Sequence, residues 1–358
     1  MGTLAIYLNR QYLKFLGICH LIFVSLYFII HFFERVDNFA ESKVAAGKMA
    51  VFFIFQIPLI AVQMLPPAAL IALIITFSLM ERDNEIVALK ACGVSVAGLC
   101  RPVLATSLGL AAILFILSEF VVPFASSLSN RIWRVEVMKQ GPQQVQTRNH
   151  IWFKGAECIY YIPYFDNNKK LMLDPCLYFL DSSFTLIKKI DARKALWKGD
   201  HWEMTDGISL EAGHSGEYGL TRFERLNLFL PEPPETFILE KRKPEEMNLW
   251  ELKAFARAMM EEGYDANRYL VDLNIKLAFP FVLVILALLA PTIALWKRRF
   301  STPLAVSIGA AVCFLYLLVL GIARSVGIAG LLPPMLSAWI ANGIFFLIGI
   351  YLLMAKNR

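Results

Sequence analysis

The residues whose types and spacing most clearly suggest a function lie in a short charged loop between two long apolar runs. Its sequence is ERDNEIVALKACGVSVAGLCR. Asp83 can cap a helix there, and Glu85 falls in its first turn, where the positive end of the helix dipole favours a carboxylate. Ile86 and Leu89 share one face at i,i+3 spacing, and Gly93 is typical of a helix stop. Such an amphipathic helix either lies on a lipid surface or docks into a partner protein.

A second set of charged residues borders the other ends of the apolar runs. Arg35 and Asp37 follow the first run, and Arg131 and Arg134 follow the third run at i,i+3 spacing. A pair of arginines above a membrane can hold anionic headgroups, but a solvated helix face with local ion pairs explains the same spacing, and the residues alone favour it. Glu119, inside the third run, is predicted to face a cavity or a partner.

Catalytic signatures are missing from the sequence. It contains no G-x-x-x-x-G-K-[ST] stretch, no H-E-x-x-H and no G-x-S-x-G, and its five histidines are scattered. These observations argue against an ATPase, a zinc hydrolase and an α/β-hydrolase. We therefore predict a protein that is not an enzyme and that carries no cofactor or metal of its own.

The composition is that of a membrane protein, because 57% of the 358 residues are hydrophobic. A helix that crosses a bilayer needs about 20 apolar residues. Six runs meet this requirement, at 13–33, 51–79, 103–125, 277–295, 304–323 and 334–354. Residues 3–12 are predicted to form a short interfacial helix that feeds the first span, anchored by Arg10 and Lys14.

The net charge of +6 is interpreted through membrane topology. Basic residues in membrane proteins concentrate in short cytoplasmic segments. One side carries Arg10, Lys14, Arg82, Lys90, Arg101, Lys297, Arg298, Arg299, Lys356 and Arg358, whereas the other carries only Arg35, Lys43, Lys48 and Arg324. This asymmetry predicts that both termini and the charged loop are cytoplasmic, and it makes nucleic-acid binding an unnecessary explanation.

The polar stretch between the third and fourth spans is long enough for a folded domain. Short β-rich runs separated by turn signals predict a small sandwich or jellyroll-like domain with an aromatic-rich interior (Trp152, Tyr160, Tyr178, Phe179, Trp197 and Trp202). Cys158 and Cys176 lie in this region, and the sequence leaves open whether they form a disulfide. The predicted class is an α+β membrane protein, with spans one to three in 1–125, a β-domain in 126–245 and spans four to six in 246–358.

Two local interactions are predicted before the fourth span. Asn248 and Glu251 have the spacing of a capping box, and the helix that they begin is expected to stop at Gly263. In the next helix, Asp272 and Lys276 are expected to pair at i,i+4 spacing.

Nearly the whole chain resembles the LptF/LptG permeases of the lipopolysaccharide export transporter. That family has six spans with a β-jellyroll domain between the third and fourth, as predicted above. The resemblance rests on ERDNEIVALKACGVSVAGLCRP, on QMLPPAAL in the second span, on EFVVPFASSLSNRIWR after the third, on KKIDARKALWKGDHWEM in the strands, on NLWELKAFARAMMEEGYDANRY and on LLPP. The loop 81–101 matches the family's coupling segment, whose helix spans 84–92.

The resemblance implies a subunit of an ABC transporter that extracts lipopolysaccharide from the outer leaflet of the bacterial inner membrane. The lipid enters laterally between span one of one permease and span five of the other, and passes through periplasmic jellyroll domains to a bridge. The implied partners are a cytoplasmic ATPase dimer similar to LptB, a paralogous permease similar to LptF, a single-span regulatory subunit similar to LptC and a periplasmic protein similar to LptA.

The resemblance also assigns roles to residues. Glu85 matches the coupling-helix acid that pairs with an arginine of the ATPase, with Ile86 and Leu89 packing beside it. The implied lipid contacts are the residues at the span ends and in the fifth span: Arg35, Asp37, Arg131, Arg134, Phe314 and Tyr316. The resemblance thereby favours lipid binding by Arg131 and Arg134 over a solvated helix face. Two positions depart from the family pattern, because Glu34 and Leu59 stand where basic residues can occur.

Several alternatives stay open at this point. The DANRY segment, the LLPP turn and the short C-terminal tail favour an LptG-type subunit, whereas ACG in the coupling loop fits the LptF type equally. A scaffolding or regulatory subunit of another membrane ATPase is a second reading, although such permeases usually carry their large domain after span one. A lipid-modifying membrane enzyme is a third, weakened by the missing catalytic cluster.

Overall fold

The computed structural model describes residues 2–139, 147–155, 158–166, 169–181, 185–212, 218–234, 243–261, 265–295 and 301–356. Gly263 and the basic loop residues Lys297, Arg298 and Arg299 lie outside them. The chain divides into two compact units. The helical unit comprises Met1–Ile132, Lys243–Ala256 and Ala266–Arg358, and the β-unit comprises Trp133–Arg242 and Arg257–Asp265.

Ten α-helices are described. Their bounds are α1 Gly2–Glu41, α2 Ala46–Arg82, α3 Glu85–Ala91, α4 Val96–Ile116, α5 Val122–Ile132, α6 Leu249–Glu261, α7 Asn267–Ala278, α8 Val282–Ala294, α9 Thr302–Ile328 and α10 Pro334–Lys356. Two π-helical segments, Leu117–Val121 and Trp133–Val137, continue α4 and α5, and 3-10 turns cover Pro244–Glu246 and Phe279–Phe281.

Six stretches of the described helices are long and apolar enough to cross a membrane. They are Gly2–Glu41, Ala46–Arg82, Gly98–Val137, Asn267–Ala294, Thr302–Ile328 and Pro334–Ala355. The six predicted spans are confirmed. The segment 3–12, predicted as an interfacial helix that feeds the first span, is the first part of α1, which runs without a break from Gly2 to Glu41. Nothing in that segment interrupts a helix, since it contains no proline.

The helical core is built around α2 and α8, whose apolar residues are buried on several sides. Helix α1 contributes a narrower stripe, Leu8, Tyr12, Leu16 and Cys19, at the three- and four-residue spacing of one helical face. Most other large apolar side chains of α1 and α9 are exposed on the helical unit, including Leu21, Phe33 and Phe314. These exposed faces suit lipid or another membrane subunit.

The β-unit contains a seven-stranded antiparallel sheet among its described residues. Its strands are β1 Thr147–Lys154, β2 Cys158–Asp166, β3 Leu171–Leu173, β4 Cys176–Leu180, β5 Leu186–Trp197, β6 Trp202–Ala212 and β7 Tyr218–Leu228. The short strands β3 and β4 both lie between β2 and β5, and a break at Asp174 and Pro175 separates them. The positive φ of Asp174, 51°, interrupts the extended backbone there. The predicted β-domain between spans three and four is confirmed.

One face of the sheet carries the core of the β-unit. Tyr160 and Trp202 are fully enclosed, and both bond to Glu232: the Tyr160 hydroxyl donates to Glu232 Oε2 at 2.5 Å, and Trp202 Nε1 donates to the Glu232 carbonyl at 3.2 Å. The interior position predicted for Trp152 is wrong. Its indole is 54% exposed and stacks on the opposite face, 4.6 Å from the Tyr161 ring.

No disulfide joins Cys158 and Cys176, and both are buried. Cys158 pairs with Phe179 and Cys176 pairs with Tyr161, so the two cysteines are three residues out of register on neighbouring strands. An odd offset sends their side chains to opposite faces of the sheet. Burial raises the pKa of the Cys176 thiol to about 11, which leaves little reactive thiolate at neutral pH. This geometry excludes a disulfide between them without a shift in strand register.

Candidate functional site

The ends of α3 are set by local backbone signals. Asn84, the residue before the helix, has a left-handed φ of 61°, and its side chain makes no cap hydrogen bond. The cap predicted for Asp83 is wrong, because Asp83 ends α2 and its carboxylate pairs with Arg82. The stop at Gly93 is confirmed. Its φ is 82°, its amide bonds to the Lys90 carbonyl, and the following amide bonds to Leu89, which is a Schellman motif.

Glu85 sits at the start of α3 and is held by α1. The hydroxyl of Tyr7 donates to both carboxylate oxygens of Glu85, at 3.0 and 3.2 Å. Ile86 is 1% exposed and belongs to the helical core, and Leu89 is half-buried against it. These two residues anchor α3 to its own subunit. The surface left for a partner consists of Glu85 and the exposed Val87, Ala88 and Lys90, with the outer part of Leu89.

A polar cavity lies at the opposite end of the helical unit, and we call it the basic cavity. Its volume is about 380 Å³. Its charged lining is Arg35, Lys243, Arg268 and Arg324 with a single acid, Glu245, and its remaining lining is Tyr27, His31, Gln56, Leu59, Ile60, Gln63 and Asn130. Four cations facing one carboxylate favour an anionic ligand.

Three of these cations are oriented by neighbours. The Arg324 guanidinium donates to both oxygens of the buried Asp272 carboxylate, at 2.7 and 3.0 Å. The Lys243 ammonium donates to Asn130 Oδ1 at 3.2 Å, and the Arg35 guanidinium lies 5.8 Å from the centre of the Phe52 ring. Asp272 neutralises Arg324. The cavity still has an excess of positive charge, because Arg35, Lys243 and Arg268 face the single carboxylate of Glu245.

The predicted Asp272–Lys276 pair is therefore wrong. Asp272 bonds to Arg324, which arrives from α9, and the Lys276 ammonium donates instead to the Met247 carbonyl. A bidentate arginine contact is a stronger alternative for a buried carboxylate than an i,i+4 lysine. The capping box is confirmed, since Glu251 N–H donates to Asn248 Oδ1 at 2.8 Å and Asn248 N–H donates to Glu251 Oε2 at 3.3 Å.

The predicted lipid-contact residues separate into distinct environments. Arg35 lines the basic cavity, whereas Asp37 and Arg131 are exposed and outside its lining, and Arg134 is half-buried in the β-unit. Phe314 is 68% exposed on α9 and is available to lipid. Tyr316 departs from the predicted lipid contact because it is buried. It is 1% exposed, its hydroxyl donates to Asn342 Oδ1 at 2.7 Å, and its ring packs on Phe345, so it holds α9 against α10.

Sequence reasoning missed Lys243, Arg268 and Arg324 as members of one site. The available signal was Arg324, a charged residue at the end of an otherwise apolar helix, where ionisable groups usually line a cavity. Among the described residues, no cluster of three or more His, Cys, Asp or Glu side chains has a geometry for a metal ion.

Glu119 has a structural partner. It is 8% exposed in the π-helical segment after α4, and its Oε1 accepts the backbone N–H of Leu249 at 2.6 Å. The carboxylate thus satisfies a donor in the first turn of α6, where the helix dipole also favours a negative charge.

Replacing Glu119 by alanine is expected to destabilise the protein by about 1–3 kcal/mol, because the Leu249 N–H loses a buried acceptor. Thermal unfolding of the detergent-purified protein would show the lower midpoint. Glu119→Gln keeps an acceptor oxygen and should lose less. Equal midpoints for the alanine variant and the wild type would rule out this role.

The comparisons with known proteins cover almost the entire chain. Residues 6–355 match the family model described as "Lipopolysaccharide export system permease LptF/LptG". The relatives include the lipopolysaccharide export system permease protein LptG of Escherichia coli K12, 20% identical over 364 residues and spanning 99% of both chains, and its namesake from Escherichia coli O6:H1, with the same values. Together with six membrane-spanning helices, the match indicates a multi-pass inner-membrane protein. The chain belongs to the lipopolysaccharide export system permease family, LptF/LptG.

Proposed function

We propose that this chain extracts lipopolysaccharide from the outer leaflet of the inner membrane and passes it to a periplasmic bridge, as a permease subunit without ATPase activity of its own. The observation that carries the proposal is the family match over residues 6–355. A separate cytoplasmic ATPase hydrolyses ATP, which accords with a sequence that contains no P-loop.

The proposed topology places both termini and α3 in the cytoplasm. Arg82 and Arg101 flank α3 and Lys90 lies in its last turn, and the three give this segment the basic character of a cytoplasmic loop. Residues 126–245 then form the periplasmic β-domain with its helical connection, 1–125 hold spans one to three, and 246–358 hold a periplasmic helix followed by spans four to six. This orientation puts the basic cavity, at the end of the helical unit opposite α3, near the outer leaflet.

Helix α3 is the proposed docking element for the ATPase. Glu85 offers a carboxylate to an ATPase arginine, and Val87, Ala88 and the outer part of Leu89 offer a small apolar surface beside it. Ile86 contributes indirectly by fixing α3 on the core. A short helix held at both ends and anchored by one buried residue can transmit a displacement without unfolding.

The basic cavity is the proposed contact for the anionic headgroup. Guanidinium groups bind phosphates through paired N–H donors, and Arg35 and Arg268 provide them here, because Arg324 gives its Nε and Nη2 donors to Asp272. Arg131 and Asp37, on the helical unit, are proposed to contribute at the same membrane boundary, and the exposed ring of Phe314 is proposed to meet acyl chains as lipid passes span five. Arg134 is proposed as a lipid contact of the β-unit. Leu59, which stands where the family can carry a basic residue, also lines this cavity and places an apolar side chain among the cations.

We assign the chain to the LptG type, with an LptF-like permease as its partner. The support is the name of the two reported relatives together with the LLPP turn before the last span. The complex would further contain an LptB-like ATPase dimer and an LptC-like single-span subunit, and it would deliver lipid to an LptA-like protein. The broad apolar exposure of α1 and α9 suits a second permease beside each of them.

Purification of the tagged chain from bacterial membranes tests the proposal. We expect an ATPase and a second permease of the same family to co-purify in stoichiometric amounts, with lipopolysaccharide bound. A chain that purifies alone, or with an unrelated membrane ATPase, would contradict it. A partner of the LptG type would reverse the subunit assignment but leave the function in place.

A further inference from the structure

The hydroxyl of Tyr7 joins α1 to α3 at Glu85. It contacts both carboxylate oxygens, at 3.0 and 3.2 Å, across 78 positions of sequence. A hydroxyl that donates to a carboxylate makes a charge-assisted bond, which is stronger and more directional than a neutral one. The bond restricts the rotation of a Glu85 carboxylate that is otherwise half-exposed.

Helix α1 is suited to carry a displacement along its length. It is continuous over 40 residues and contains no proline, and its buried stripe from Leu8 to Cys19 packs on the helical core. Tyr7 and Arg35 are 28 residues apart on this helix, or about 42 Å at 1.5 Å per residue. Helix α2, which leads directly into α3, contains Pro58, Pro66 and Pro67, and each removes a backbone hydrogen bond.

We propose that Tyr7 is a positioning residue that orients the Glu85 carboxylate and ties α3 to α1, so that movement of α3 reaches Arg35 in the basic cavity through α1. The inference rests on the proposed function, because it takes Glu85 as the contact to a nucleotide-driven ATPase. Helix α1 thus connects the ATP-driven movement of α3 to the anion-binding cavity. The hydroxyl of Tyr7 links α1 to α3 through Glu85.

The first test compares Tyr7→Phe with the wild-type complex of permeases and ATPase in proteoliposomes. Removing the hydroxyl is expected to lower the lipopolysaccharide released per ATP hydrolysed by about threefold to tenfold, as expected for one hydrogen bond at an exposed site. Complex yield and thermal midpoint should not change. The matched control is Tyr351→Phe, which removes a hydroxyl from a tyrosine that is 70% exposed on the last helix, and it should release lipid as the wild type does.

The second test follows α1 itself. Asn38 is exposed near the end of α1 and lies three residues after Arg35. A spin label at Asn38→Cys, in a Cys92→Ser background that removes the exposed native thiol, reports the environment there. We expect ATP to change the label's mobility in the wild type and in Tyr351→Phe, and we expect this change to be smaller in Tyr7→Phe and absent in Glu85→Ala.

The outcomes separate the two proposals. If Glu85→Ala abolishes both release and the label response while Tyr7→Phe matches the wild type, the role of Tyr7 is overturned and the proposed function stands. If the wild-type label does not respond to ATP while release continues, α1 does not carry the displacement. If Glu85→Ala matches the wild type in both measurements, the proposed coupling function itself fails.

Discussion

Replacing Glu85 by arginine is expected to reduce ATP-driven lipopolysaccharide release at least tenfold. The substitution removes the carboxylate proposed to pair with an ATPase arginine and places a second cation against it. A change of about 1.4 kcal/mol in the coupling free energy suffices for a tenfold effect. Release from proteoliposomes and ATP hydrolysis should be measured on the same preparation, because the account expects hydrolysis to continue without transport wherever the ATPase still co-purifies.

The matched control for Glu85→Arg is Glu81→Arg. Glu81 lies four residues earlier, in the last turn of α2, and the described structure gives it no contact with Tyr7. The same charge change at Glu81 is expected to alter release by less than about twofold, as for most surface substitutions. Wild-type release by Glu85→Arg, or equal losses in the two variants, would show that Glu85 has no specific part in coupling.

Reversing the charge of Arg268 is expected to lower lipopolysaccharide capture at least tenfold. Arg268 is exposed and lines the basic cavity, so its guanidinium can reach a bound anion. A hydrogen bond to a charged group contributes about 1.5–3 kcal/mol, and the introduced carboxylate of Arg268→Glu adds repulsion. Photocrosslinking from a probe at Gln63, which lines the same cavity, measures capture before any ATP is added.

Lys253→Glu is the control for Arg268→Glu. Lys253 is exposed on α6 and is not part of the lining of the cavity. The control should form lipid adducts like the wild type, and both variants should assemble with the ATPase. Undiminished adducts for Arg268→Glu, or an equal loss of adducts for Lys253→Glu, would show that lipid does not bind in the basic cavity.

The features predicted correctly from sequence are those set by neighbouring residues. Gly93 ends α3 because a left-handed backbone position favours glycine, and Asn248 and Glu251 cap α6 because they are three positions apart. The six spans follow from long apolar runs. The prediction that Asp83 caps α3 is wrong because the left-handed backbone of Asn84, rather than the side chain of Asp83, makes the turn from α2.

The features that sequence did not predict depend on which helices meet. Asp272 bonds to Arg324, 52 positions away, and no periodicity within α7 could indicate that partner. In the apolar helix α9, hydropathy does not distinguish the exposed Phe314 from the buried Tyr316. The basic cavity draws its cations from α1, the 3-10 turn region, α7 and α9, so its members become neighbours only in the folded chain.

The most direct test of the central claim is lipopolysaccharide release from proteoliposomes that contain the purified complex of this chain, its partner permease and the ATPase. A periplasmic acceptor protein outside the vesicles collects the released lipid. We expect transfer to the acceptor that requires ATP, that is lost with Glu85→Arg and that is retained with Glu81→Arg. Transfer that proceeds equally without ATP, or equally with Glu85→Arg, would contradict it.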